Sequence, residues 1–314
     1  MGLYLVRRVG QSIAALVGIS LATFLLVQLV PGDPARAILG PRAPASAVVS
    51  LRHSMGLDRT LPAQYGLFLA HAFGLNFGYS SLQHASVGSL LWPRLGTTLL
   101  LTLYATLVSV VVALPLALAS ALHRNRPLDH SIRLVTMVTF AMPAFWLGLV
   151  LILFLAVKVS AFPASGYGDG FLGHLYSLTL PALTLGLGLA PLLVRTLRGS
   201  LIETMNKEFV EAARARGYRE LRVLRRYVLR NSLVASITVV GVNVGYILSI
   251  VVVIENVFAL PGLGQLLVTS VQNRDFPVVQ GIALVLGAIV VLVNLVTDLS
   301  YSALDPRIRF SGHR

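Results

Sequence analysis

The sequence contains no cysteine, which excludes disulfide bridges and thiol-based metal, redox or nucleophilic sites. Charge is also scarce. Only 12% of the 314 residues are charged, against roughly 25% in a soluble globular domain. Carboxylates are the rarer sign, 12 Asp and Glu against 25 Lys and Arg. No G-x-x-x-x-G-K-[ST] phosphate loop occurs, so the chain is not expected to hydrolyse ATP itself. No nucleophile, base and orienting residue share a motif, which gives no catalytic residues. The seven histidines never fall four apart, so no helical metal pair and no cofactor site is expected. No internal repeat suggests a transporter built from two halves.

What fills the chain is apolar. Hydrophobic residues make up 56% of it, mean hydropathy is +0.80, and the apolar runs are long enough for the solvent to be lipid. The net charge of +13 does not point to nucleic acid, because the basic residues fall in short segments between apolar runs rather than on one polar domain. An all-α membrane protein with six transmembrane helices is expected. A short head at 1–8 precedes a first span at 9–30, and an extracytoplasmic segment at 31–94 follows. Further spans are expected at 95–122, 132–157, 178–194, 233–258 and 278–304, with a cytoplasmic loop at 195–232, an external loop at 259–277 and a tail at 305–314. Residues 95–304 would be the core of a single transmembrane domain. Arg7, Arg8, Arg124, Arg126, Arg133, the ten Lys and Arg from Arg195 to Arg230, and Arg307, Arg309 and Arg314 all fall on the side of the termini. The two short opposite loops carry Lys158 and Arg274 alone. That asymmetry predicts cytoplasmic N- and C-termini.

Prolines 115, 143, 181 and 191 lie inside apolar runs, where they predict kinks facing protein or a pathway; Pro181 is equally consistent with a helix start. Gly186, Gly188, Gly241 and Gly245 suit close helix contacts. Glu255 and Asp298 are the carboxylates nearest membrane depth, both close to span ends, where solvated or paired groups are expected rather than a proton relay.

The densest positive charge runs from Phe209 to Asn231, FVEAARARGYRELRVLRRYVLRN. It predicts two short helices with Gly217 at the turn, the residue that accepts a left-handed backbone at a helix end. Phe209 and Ala213 would share a face, and Glu211 would pair with Arg214. Ala212 and Ala213 leave room for a second surface. Leu221, Leu224 and Val228 would form an apolar stripe flanked by arginines. Physics alone leaves two readings open, a docking element for a protein and a basic amphipathic helix lying on anionic membrane lipid.

Glu211-Ala212-Ala213, Gly217 and the ending Leu229-Arg230-Asn231 resemble the EAA loop of ABC-importer permeases, in the form found in the dipeptide/oligopeptide branch. Other segments resemble the same branch, first-permease type. They are Pro31-Gly32-Asp33-Pro34, the GLDR…LP…QY…FGYS pattern ending at Ser80, IENVFALPGLG at 254–264, RDFPVVQG at 274–281, and YSALDPR at 301–307. In these last segments Pro261, Gly262 and Gly264 would form a turn before a short external helix, and Asp305-Pro306 would stop the sixth span.

The resemblance implies a type I importer architecture and a non-catalytic transport subunit that forms a pathway for peptides. It implies a homologous second permease as heterodimer partner, two cytoplasmic ATP-binding subunits and an extracytoplasmic substrate-binding protein. Nickel and glutathione importers share the scaffold. Phe209, Glu211, Ala212, Ala213, Arg214 and Gly217 would carry the coupling to the ATPases. A stand-alone ion-coupled transporter or channel is the competing class. It would show charges at mid-span or pore-lining polar rings, which the sequence does not contain.

Overall fold

A computed structural model describes residues 2–29, 35–36, 43–54, 56–80 and 82–304. Helix α1 spans Gly2–Leu29, α2 Ala45–Ser54 and α3 Leu61–Phe73. A hairpin of two-residue strands, β1 Tyr79–Ser80 and β2 Ala85–Ser86, pairs Tyr79 with Ser86 and Ser80 with Ala85. The long helices follow: α4 Val87–Leu122, α5 Pro127–Ala141, α6 Ala144–Leu151 and α7 Gly170–Met205. After them come α8 Glu208–Ala215, α9 Glu220–Val223, α10 Arg230–Val257, α11 Leu263–Gln272 and α12 Phe276–Leu304. Wider π-helical turns extend α6 through Ile152–Lys158 and join α9 to α10 through Leu224–Leu229.

Among the described residues five helices are long and apolar enough to cross a membrane, and a sixth crossing results if the bent pair α5–α6 counts as one span. That pair bends by 104°. The cause lies in Met142-Pro143, since a residue before proline is driven out of the helical region. Met142 accordingly takes φ −76° and ψ 132°. The helices also outrun the apolar stretches. Helix α4 begins at Val87 rather than near 95, and α7 runs from Gly170 to Met205. Pro181 therefore lies in the interior of α7 and does not start it. Pro181 and Pro191 are buried, whereas Pro115 is exposed on α4.

The described residues form two compact units. One comprises Gly2–Thr97 and Gly262–Val291. Here α3 lies on α1, with Phe24 against Tyr65 and Phe68 at ring-centroid distances of 5.4 and 5.8 Å. Ser20 and Tyr65 share a 2.8 Å hydrogen bond beside them. Val87, Leu91, Leu263, Leu266, Val278 and Ile282 build its apolar core. The hairpin is tied in by Ser80, whose hydroxyl donates to Asp275 Oδ2 at 2.5 Å with both groups buried.

The other unit comprises Thr98–Pro261 and the described part of 292–314. Its centre is α7, the most buried of the long helices, which packs against α5, α6 and α10. In lipid, helices gain little by hiding apolar area from one another, so small residues that let backbones approach closely matter more. A Cβ on Gly186 would stand 2.6 Å from Val108 Cγ1 on α4. A Cβ on Gly241 would overlap Thr297 of α12, while one on Gly188 would meet nothing within 4 Å. Gly186 and Gly241 are thus contact glycines and Gly188 is not.

Candidate functional site

The segment from Asn206 to Leu229 links α7 to α10. Helix α8 has Glu208 and Glu211 in its first turn and Arg214 in its last, the arrangement that complements the helix dipole. The amides of Val210 and Glu211 bond to Lys207 O at 2.9 and 3.3 Å and set its start. Its end is a Schellman motif: Gly217 N donates to Arg214 O at 2.9 Å and Tyr218 N to Ala213 O at 3.4 Å. Gly217 sits at φ +76°, and no heavy atom lies within 4 Å of a Cβ built on it. Glycine is needed there for the backbone alone.

Burial divides α8 into two faces. Val210 and Ala213 are fully enclosed in a core with Ala117, Ala121, Leu197 and Leu201. Phe209, Glu211, Ala212 and Arg214 are exposed. The expectation that Phe209 and Ala213 share a face is corrected. Val210 takes the inward place, and Phe209 is 41% exposed. Arg214 does not pair with Glu211 either. Its Nε meets Glu220 Oε1 at 3.0 Å across the Gly217 turn. That carboxylate lies beyond the chain reversal, which a three-residue spacing rule along one helix cannot see.

The second expected helix is not a separate piece. Four α-helical residues pass through the π turns directly into α10. Its inward residues are Val223 and Val228, with Leu224 and Tyr227 partly buried, while Leu221 is 66% exposed. The widened turns rotate the face, so a stripe counted at 3.6 residues per turn drifts off it. Tyr218 stacks on Tyr227 at 6.1 Å, with the Arg222 guanidinium 5.6 Å from the Tyr218 ring. The result is an outward surface of Phe209, Ala212, Tyr218 and Leu221 set among arginines, resting on a rigid floor.

That floor is anchored from both sides. Ser232 at the start of α10 donates to Ser200 O at 3.3 Å and to Thr204 Oγ1 at 3.1 Å on α7. On the other side, Arg198 of α7 reaches Asp129 in the first turn of α5. Its Nε–Oδ1 and Nη2–Oδ2 distances are 2.8 and 2.7 Å. Ser120 Oγ of α4 adds a 2.5 Å bond to Oδ1, and Asn125 N a 3.0 Å bond to Oδ2. Asp129 is completely buried. Sequence reading missed this cluster, because no spacing rule joins residues 69 apart. The usable signal was a lone Asp after Pro127 at the mouth of an apolar run.

At the far end of α10, Glu255 is fully buried and accepts a 2.6 Å bond from Thr98 Oγ1, so it is structurally paired rather than solvated. Leu260 N returns to Glu255 O at 2.8 Å to close the helix end, and Ala259 takes φ +50°. Pro261 is exposed, Gly262 and Gly264 are buried, and α11 begins at Leu263. Asp298 is half-buried on α12. Asp305, Pro306 and the 31–34 segment lie outside the described residues. Among the described residues no cluster of His, Asp and Glu has the makings of a metal site.

Two family models cover nearly the whole chain. "Binding-protein-dependent transport system inner membrane component" matches residues 113–310, and the N-terminal model of binding-protein-dependent transport system membrane components matches residues 1–102. A Sinorhizobium fredii protein named "Probable peptide ABC transporter permease protein" is 33% identical over 313 residues, 99% of this chain and 100% of that one. A glutathione transport system permease protein of Salmonella paratyphi A is 34% identical over 307 residues, 98% of this chain and 99% of that one. Among solved structures, an inward-facing methionine ABC transporter matches with a TM-score of 0.58 at 20% identity, over 69% of this chain and 96% of its own, a likeness of fold.

Proposed function

The chain belongs to the family of binding-protein-dependent transport system inner membrane components, and from that premise we propose that it lines the translocation pathway of an ATP-driven peptide importer. It is an integral, multi-pass membrane protein. Its partners are ATP-binding subunits and a substrate-binding protein. In finer detail, two ATPases sit on the cytoplasmic side, where both termini also lie, and a homologous second permease completes a heterodimer around the pathway. ATP is hydrolysed in the partner subunits and not in this chain.

One observation carries the coupling role. Helix α8 keeps Val210 and Ala213 for its own floor and presents Phe209, Glu211, Ala212 and Arg214 outward. A helix with one face anchored and the other presenting an aromatic beside a small residue suits insertion into a groove. Nucleotide binding favours one state of the ATPase pair over another, and a helix docked there passes that difference to the spans. A lipid-bound helix would instead lay its apolar face on the bilayer. Here Val210 and Ala213 are buried in a core shared with residues of α4, α7, α9 and the π turns.

Peptide is the substrate class favoured by the Sinorhizobium relative, and glutathione, itself a peptide derivative, by the Salmonella one. The test is purification of the tagged chain from native membranes in mild detergent, with mass spectrometry of the companions. A second six-span permease together with one or two phosphate-loop ATPases is expected. Recovery of the chain alone, under conditions that preserve other importers, overturns the reading.

A further inference from the structure

The buried cluster around Asp129 lies apart from the exposed face of α8, and both oxygens of its carboxylate are hydrogen-bonded. Its carboxylate takes both arms of one guanidinium, a hydroxyl and a backbone amide, from three different segments. Arg198 also donates from Nε to Ser120 Oγ at 3.0 Å. Arg133, four residues along α5, stands 4.0 Å away at the exposed rim.

The surrounding packing gives the pair its meaning. The inner face of α8, Val210 and Ala213, belongs to one apolar core with Ala117, Ala121, Leu197 and Leu201, and its nearest backbone neighbours are α9 and the π turns. Such a core resists separation but only weakly resists sliding or rotation. A bidentate guanidinium–carboxylate pair is directional, and it fixes both register and orientation. Replacing a buried ion pair by apolar groups often leaves folding intact, so the presence of such a pair is weak evidence of a contribution to stability.

We infer that Asp129 and Arg198 are a positioning pair for coupling. They lock the end of α7 to the α4–α5 turn, so that a push on α8 moves α4, α5 and α7 as one body. Ser232 with Ser200 and Thr204 makes the corresponding lock to α10. The inference rests on the permease reading above, since it presupposes an ATPase that pushes on α8.

The test uses the complete complex in proteoliposomes, reading how strongly ATP hydrolysis is stimulated by the binding protein preloaded with a tryptic peptide mixture. The double variant D129L/R198M strands no charge, and R198K keeps the charge but loses the fork. Both are expected to co-purify with every subunit while stimulation falls at least about 5-fold, the lower end of ordinary coupling between sites. Wild-type stimulation in D129L/R198M overturns the inference. So does failure of that double variant to assemble, which would make the pair a folding element. If the wild-type chain itself brings down no ATPase, the permease reading has failed instead.

Discussion

Thr98 and Glu255 are joined by a 2.6 Å hydrogen bond inside the helical core, with neither residue accessible to solvent. The hydroxyl of α4 thereby satisfies part of a carboxylate on α10 that would otherwise be costly to bury. Replacing Thr98 by Val keeps the shape and removes the donor, at a cost of about 1–3 kcal/mol. Thr98→Ser keeps the donor. Thermal unfolding in detergent should therefore show a lowered midpoint for Val and a near-normal one for Ser. Equal midpoints would mean that other partners of Glu255 carry its burial.

Ala212 and Ala213 are neighbours with opposite surroundings, one exposed and one enclosed. Ala212→Phe should leave the melting profile of the chain unchanged and abolish capture of the ATPases. Ala213→Phe overfills the floor and should cost about 1–3 kcal/mol of stability. Pull-down and melting measured on both variants separate docking from folding. Undiminished capture by Ala212→Phe would remove α8 as the docking helix.

At Gly217 the left-handed backbone is the sole demand, because a side chain there meets no neighbour. A β-branched residue is poorly suited to that conformation, at roughly 1–2 kcal/mol, whereas Asn tolerates it. Gly217→Val is expected to abolish transport with the spans still inserted, and Gly217→Asn to retain most of it. Peptide uptake by whole cells compares the two. Normal uptake by the Val variant ends the case for a required turn.

Gly241 and Gly188 form a matched pair of controls. An added methyl on Gly241 collides with Thr297, while on Gly188 it enters open space. Gly241→Ala should lower the unfolding midpoint, by an overpacking cost of about 1–3 kcal/mol. Gly188→Ala should be neutral or slightly stabilising through its better helix propensity. Matching midpoints for the two would show that α10 and α12 can simply move apart.

Composition and apolar run length were enough to read the helical membrane class from the sequence, since both report directly on the solvent the chain meets. The motifs around Glu211, Gly217 and Pro261 were sufficient to assign the family. Gly217 was legible because a backbone requirement is written in a single residue type. The kink at Pro143 was legible too, though not its 104° angle. Three features needed the tertiary structure: the exchange of Phe209 for Val210 on the inner face, the Arg214–Glu220 pair across the turn, and the Asp129–Arg198 lock. Each depends on how helices rotate and bring distant residues together. A local period shows that a helix has an apolar face, but only the neighbours it packs against decide which residues on that face turn inward and which charges find one another.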